Sequence, residues 1–204
     1  MAEPEAGDSQ ATRVFLGDAD GLLAVFELRD ELRTDAAEAI RSLRDMGLDV
    51  EILSGDAAGA VNHVAAELGI GDASYGMRPD DKLARVRELQ AAGHQVAMIG
   101  DGVNDAPVLA GADVSIAMGQ GAQLAHASAD MVVLSERLGV LPEGIAKARR
   151  TRTVIKQNLG WALFYNMSAV PLAAAGMVAP WMAAIGMSFS SLVVVFNALR
   201  LKSD

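Results

Sequence analysis

Along the front of the chain, short apolar runs alternate with amphipathic stretches. "LDVEIL" and "QVAMIG" read as buried strands, and "VSIAM" and "MVVL" follow the same pattern. Between them the apolar spacing changes to that of a helix. "DAAEAIRSLRDMG" sets Ala36, Ile40 and Leu43 on one face, and "AAGAVNHVAAELG" does the same with Val61, Val64, Ala65 and Leu68. "DDKLARVRELQAAG" repeats the spacing with Leu83, Val86 and Leu89 or Gln90, and stops on Gly93. Strands alternating with helices predict an α/β domain with a parallel sheet. Ligands of such sheets bind beyond the carboxyl ends of the strands.

The pattern breaks after Lys156. From Gln157 to Leu199 there is no Asp, Glu, Lys, Arg or His. Pro180 divides this tract into two stretches, about 158–178 and 181–199, each near the length a membrane-crossing helix needs. A helical hairpin buried in a large soluble core is the alternative, and a chain of 204 residues has little core to supply for it. Lys147, Arg149, Arg150, Arg152 and Lys156 precede the first stretch, and Arg200 and Lys202 follow the second. Positive flanks are retained in the cytoplasm, so the chain is expected to be multi-pass in the cell (inner) membrane, with both termini cytoplasmic. The expected domains are a disordered, acidic tail over 1–12, an α/β part over 13–140, and a connecting helix with its hairpin over 141–204.

Composition narrows the chemistry. The net charge of -9 argues against non-specific nucleic-acid binding. The absence of cysteine excludes disulfides, zinc-thiolate sites and thiol catalysis within these residues. The polar start of the chain does not read as a signal peptide.

Three motifs fall at strand ends. "SGD" (Ser54–Asp56) offers a hydroxyl and backbone N–H groups to a phosphate, or equally caps a helix. Lys82 in "MRPDDK" opposes the dipole of a helix start, which points to another partner, although a solvated lysine fits as well. "MIGDGVNDAPVL" crowds Asp101, Gly102, Asn104 and Asp105 into one turn after a buried strand. A divalent cation with oxygen ligands, magnesium by type, would relieve the repulsion there. The other reading is an Asx-rich turn. A fourth stretch, "FLGDADGLLAVF", carries Asp18 and Asp20 after an apolar run. It has the spelling of a haloacid-dehalogenase-type nucleophile loop. Asp20-Gly21 between apolar runs is also a hairpin signal, and Leu22 stands where such a loop has a hydroxyl residue.

"GDGVNDAPVL" closely resembles the hinge signature of P-type ATPases, with "SGD" and "RPDDK" at the matching order and spacing. "RRTRTVIKQNLGWALFYN…MSFSSLVVVFNALRL" is similar to the end of the heavy-metal branch, in its copper-transporting group and, more finely, the subgroup serving copper-oxidase assembly. The resemblance implies a haloacid-dehalogenase-like (Rossmannoid) domain, incomplete, followed by a two-helix transmembrane hairpin. It implies that Ser54 and Gly55 hold the transferred phosphoryl group and Lys82 neutralises it. Asp101 binds magnesium, Asn104 touches the phosphate, and Asp105 orients the metal shell. It further implies a monovalent copper pathway through Tyr165 and Asn166 and through Met187 and Ser191. A thioether suits that ion, and a methionine also serves as a gap filler.

The pattern is not complete in these residues. The Asp-Lys-Thr-Gly-Thr segment that such pumps phosphorylate is absent, as are the ATP-binding domain with its His-Pro pair and the Cys-Pro-Cys helix. The resemblance therefore covers about the last third of a pump. ATP would be bound mainly by the missing upstream domain, and the chain alone is expected to be inactive without an upstream pump half. It would be a gene fragment, half of a split pump, or the product of a misassigned start. The rival readings are a membrane-tethered phosphatase with Asp18 as nucleophile and Asp20 as acid/base, and a non-catalytic remnant.

Overall fold

A computed structural model describes residues 12–18, 21–28, 31–100, 105–119 and 129–202. The expected tail therefore lies almost wholly outside the described residues, as do Asp20, Asp101, Gly102 and Asn104. The chain divides into two compact units, Met1–Pro142 and Glu143–Asp204.

The first unit opens with an antiparallel ribbon, β1 (Thr12–Asp18) and β2 (Gly21–Leu28), whose register shifts between Leu16 and Gly17. The α/β elements follow in order: α1 (Ala36–Asp45), β3 (Glu51–Leu53), α2 (Ala58–Leu68), β4 (Asp72–Ser74), α3 (Pro79–Ala91), β5 (Ala97–Gly100), α4 (Ala106–Gly111), β6 (Val114–Met118) and β7 (Met131–Val133). The parallel strands are in two pieces. β3 pairs with β4, and β5–β6–β7 form a separate ladder with β6 in the middle.

Burial follows from these pairings. β6 is the central strand of its ladder, and Ser115, Ile116, Ala117 and Met118 are all buried. A parallel strand covered on both faces has this continuous rather than alternating pattern. The buried Ser115 stays satisfied because its N–H and hydroxyl both donate to the Asp130 carboxylate at 2.9 Å. The main core joins Val86 of α3, Met98 of β5, and Val108 and Leu109 of α4, with Leu53, Leu83, Val96 and Ala112 packed against it. Ile116, Met118 and Leu141 form a second cluster. The α1 face is realised as Ala36, Ala39 and Leu43, with Ile40 only half-buried. The helix turns the smaller Ala39 inward, a one-position rotation that periodicity alone does not resolve.

Three carboxylates tie loops to backbone. Asp35 accepts the Gly139 N–H at 2.8 Å, Asp113 the Val96 N–H at 2.8 Å, and Asp130 the Ser115 N–H at 2.9 Å. In each case that backbone hydrogen bond is the largest cause holding the carboxyl below its ordinary range. A lowered folded pKa contributes stability that is fully present above the unfolded value, about 3.9, and is lost as pH falls through the folded value. The first unit should therefore melt at progressively lower temperature as pH drops below about 4. A variant with all three changed to Asn should show a flatter acid limb in the same scan. An unchanged acid limb would show that other groups govern it.

The second unit contains most of α5 (Val140–Ala174) and all of α6 (Pro180–Leu199), joined by a turn over 175–179. α6 is 20 residues long with no part of its apolar window buried, and is long and apolar enough to cross a membrane. Among the described residues it is the one helix that passes that test. The first expected stretch differs from the reading by sequence. Its helix ends at Ala174 rather than 178, with Pro171 inside it as the sequence places it. Asn158, Tyr165, Asn166 and Ser168 dilute its apolar content.

Candidate functional site

The carboxyl end of β3 and the start of α4 meet at one pocket of about 300 Å³, lined by Ser54, Gly55, Asp56, Met77, Pro79, Lys82 and Asp105. Each lining residue is held by local chain geometry. Ser54 continues the β3–β4 ladder, donating its N–H to the Ser74 carbonyl and accepting the Met77 N–H, both at 2.9 Å. Its hydroxyl donates to Asp56 at 2.9 Å and accepts the Asp56 N–H at 3.1 Å. Position 55 must be small, because a Cβ there would stand 3.3 Å from the Met77 carbonyl oxygen. The loop is thereby clasped to residues 74–77, with its peptide groups close to the pocket floor.

Lys82 enters from the first turn of α3. Pro79 starts that helix, and Asp81 accepts the Arg78 N–H at 3.0 Å. The Lys82 ammonium donates to Asp105 at 2.8 Å, and the two side chains are only 12% and 15% exposed. The partner that a lysine at a helix start implies is thus Asp105. Asp105 itself caps α4, with its carbonyl accepting the Val108 and Leu109 N–H groups. The arrangement offers one held cation, one hydroxyl and glycine-loop amides around a single cavity. Those are the groups that bind a tetrahedral oxyanion.

Ser54, Gly55, Lys82 and Asp105 thus come together. Asp101 and Asn104, expected beside them, lie outside the described residues. Asp56 takes part in the site without a role having been read for it in the sequence. Its signal was its place in the same "SGD" turn. Asp18 ends β1 and accepts the Gly21 N–H at 3.1 Å across the ribbon turn.

The hairpin carries its own polar seam. The Trp161 indole N–H donates to Ser190 at 3.1 Å, and the Asn197 amide donates to Asn158 at 2.9 Å. Asn158 in turn reaches the Val194 carbonyl at 3.4 Å. Tyr165 lies over Gly186, where a Cβ would stand 2.6 Å from its hydroxyl oxygen. These contacts set the two helices antiparallel, with 158, 161 and 165 facing 194, 190 and 186. Asn166, Met187 and Ser191 each follow a seam residue by one position, about 100° around the helix. In an antiparallel pair those rotations run to the same side. The three residues share one outer face and are exposed, Met187 at 65%. They do not close into a site within the hairpin: the Asn166 amide is turned to the Ala162 carbonyl of its own helix at 2.9 Å.

Two haloacid dehalogenase-like hydrolase family models match the chain, over residues 2–113 and 82–148. A cation-transporting P-type ATPase B of Mycobacterium tuberculosis is 40% identical over 198 residues, 97% of this chain and 26% of its own. A copper-exporting P-type ATPase of Staphylococcus aureus is 41% identical over 89% of this chain and 23% of its own. Among solved structures, a zinc-transporting PIB-type ATPase in the E2.Pi state superposes with a TM-score of 0.82 at 36% identity. That match covers 95% of this chain and 32% of the other. The chain spans about a quarter of the length of the curated relatives it matches.

Proposed function

The chain belongs to the haloacid dehalogenase-like hydrolase family, and within it we propose that these residues form the phosphate-handling and final membrane part of a monovalent-copper-exporting P-type ATPase. The observation that carries the reading is the pocket where the Lys82–Asp105 pair faces the Ser54–Gly55 loop. Phosphoryl transfer is largely positioning and charge stabilisation, and these groups supply both. ATP would give up its γ-phosphoryl group to a carboxylate of the upstream part, with ADP leaving, and water would later cleave the acyl-phosphate. Through both steps Ser54 and Gly55 would hold phosphoryl oxygens while Lys82 offsets their charge.

The donors around the cavity are oxygens, the type magnesium takes, and that ion commonly uses one or two carboxylates plus phosphate oxygens. Asp105 and Asp101 would hold it, and Asn104 would bond the phosphate. When bound, magnesium would neutralise charge on the transferring group. The copper-facing groups would be Tyr165, Asn166, Met187 and Ser191, with the remainder of the path on upstream helices. The thioether of Met187 is a soft ligand of the kind monovalent copper takes.

The test is co-expression with the upstream part of the mycobacterial relative, cut where its match to this chain begins. Copper-stimulated, hydroxylamine-sensitive labelling from ATP is expected with both parts and none with either alone. Met187→Ala should remove the copper stimulation. Labelling of this chain by itself, or stimulation unchanged by the substitution, would refute the corresponding half of the reading.

The hairpin topology has a separate test. The chain has no cysteine, so single cysteines at Ser42 and Ala179 give clean reporters. With both ends cytoplasmic, an impermeant thiol reagent on whole cells should label position 179 and not 42. The reverse pattern would invert the orientation.

A further inference from the structure

Gly186 lies inside α6, where alanine would form helix more readily, and its φ is not positive. Neither helix formation nor a turn explains a glycine there. Close approach of two backbones is the common reason for a glycine in a membrane hairpin. At 186 that reason does not hold. The three atoms nearest to an added Cβ all belong to the Tyr165 side chain, the hydroxyl oxygen at 2.6 Å and two ring carbons at 3.6 and 3.7 Å. The ring carbons would be in ordinary contact, and no backbone atom of α5 is nearer than they are. Only the hydroxyl needs the space. A methyl at 186 would displace that oxygen by roughly 0.8 Å before ordinary contact at 3.4 Å is restored. The same hydroxyl stands apart in the seam. The Trp161 indole and the amides of Asn158, Asn166 and Asn197 all have hydrogen-bond partners. Among the described residues the Tyr165 hydroxyl has none. A tyrosine hydroxyl in apolar surroundings ordinarily finds a partner, and polar groups at membrane depth mark pathways.

We propose that Gly186 is a positioning residue for the transported metal: by lacking a side chain it seats the Tyr165 hydroxyl across the seam, one residue from Met187, and so sets the affinity for monovalent copper. The inference rests on the copper reading above and adds a residue which that reading does not contain. Gly186 has no side-chain donor for an ion and acts through Tyr165. A functional group must be held within about 0.5 Å of its working place, and a shift of roughly 0.8 Å exceeds that tolerance. Tyr165 is half-buried with its ring against α6, so the ring can stay while the oxygen is turned away. A methyl at 186 and an oxygen at the tip of residue 165 compete for one space. The effect of the first is therefore conditional on the second.

The experiment is a double-mutant cycle on the chain co-expressed with the upstream part of the mycobacterial relative. It is read as the copper concentration that gives half-maximal labelling from ATP. Gly186→Ala alone should raise that concentration ~10-fold, with a smaller effect on maximal labelling. In a Tyr165→Phe background the same substitution should change it less than about 2-fold, because the oxygen that would be displaced is gone. A second readout does not depend on activity. The chain has two tyrosines, so the full chain in detergent, isotope-labelled at the tyrosine Cζ, gives two magnetic-resonance signals, and Tyr165→Phe assigns them. Gly186→Ala should shift the Tyr165 signal, leave that of Tyr75 in place, and not lower the melting temperature. Equal effects of Gly186→Ala with and without the hydroxyl, an unmoved Tyr165 signal, or an unchanged half-saturating concentration overturns the proposal. Copper-stimulated labelling without coupling between 165 and 186 would leave the copper reading standing and sink the role of Gly186. Absence of copper stimulation in the unsubstituted pair would overturn the copper reading, and with it the affinity that Gly186 is proposed to set.

Discussion

Lys82→Met should lower copper-dependent phosphoenzyme formation by the co-expressed halves by about 10²- to 10³-fold, the usual cost of removing one charge-stabilising donor. Methionine keeps the length and most of the volume of the side chain, so the loss reports the ammonium. That group is 12% exposed and lies 2.8 Å from Asp105, where solvent screens it weakly. Lys82→Arg should not rescue, because a planar fork cannot take the place of a point charge in a pocket shaped by Pro79 and Met77. The substitution also leaves Asp105 without its cation, so a modest fall in melting temperature of the first unit should accompany it. Retention of more than about half of the labelling would remove Lys82 from the catalytic machinery.

Leu109→Ala should cost the first unit about 2–5 kcal/mol, enough to unfold a marginal domain. Leu109 and its neighbour Val108 are both 0% exposed, and they pack α4 against Val86 and Met98. α4 is six residues long and is capped by Asp105, so its seating fixes the acid of the Lys82 pair. Loss of Leu109 should therefore weaken phosphate-pocket function together with stability. Phe164→Ala, at a residue 65% exposed on the hairpin, should leave the melting of the first unit within about 0.5 kcal/mol. Chemical denaturation of both variants decides the matter. Equal effects would mean that the α3–α4–β5 cluster is not the core that holds this unit.

Much of this protein was legible in the chain because its patterns are local. Short apolar runs for the strands and a 3.6-residue period for the helices give the α/β order. The charge-free tract from Gln157 to Leu199 gives a hairpin, and Asp20-Gly21 marks the ribbon turn closed by the Asp18–Gly21 bond. The motifs "SGD", "RPDDK" and "GDGVND" pointed to the phosphate chemistry that is proposed above, and the first two lie on the pocket the structure forms. The inward residue of α1 was less legible. Ala39 and Ile40 both satisfy the periodicity, and only packing in the folded unit turns the smaller one inward. The residues proposed to face copper came from the resemblance, with Met187 and Ser191 on one face of their helix by spacing alone. That Asn166 lies on the same side depends on the Trp161–Ser190 and Tyr165–Gly186 contacts, which no spacing rule specifies.

The sequence by itself determined the order of elements, the split between a charged unit and an apolar hairpin, and the residue types at the strand ends. These rest on backbone periodicity and on transfer of side chains between water and apolar surroundings, both readable one segment at a time. Only the tertiary structure decided that Lys82 pairs with Asp105, that the end of β3 and the start of α4 share one pocket, and that the parallel sheet is interrupted between β3 and β5. Those outcomes join residues far apart in the chain. They are set by which edges find hydrogen-bond partners and which side chains fill a common core, and neither quantity exists until the segments are packed together.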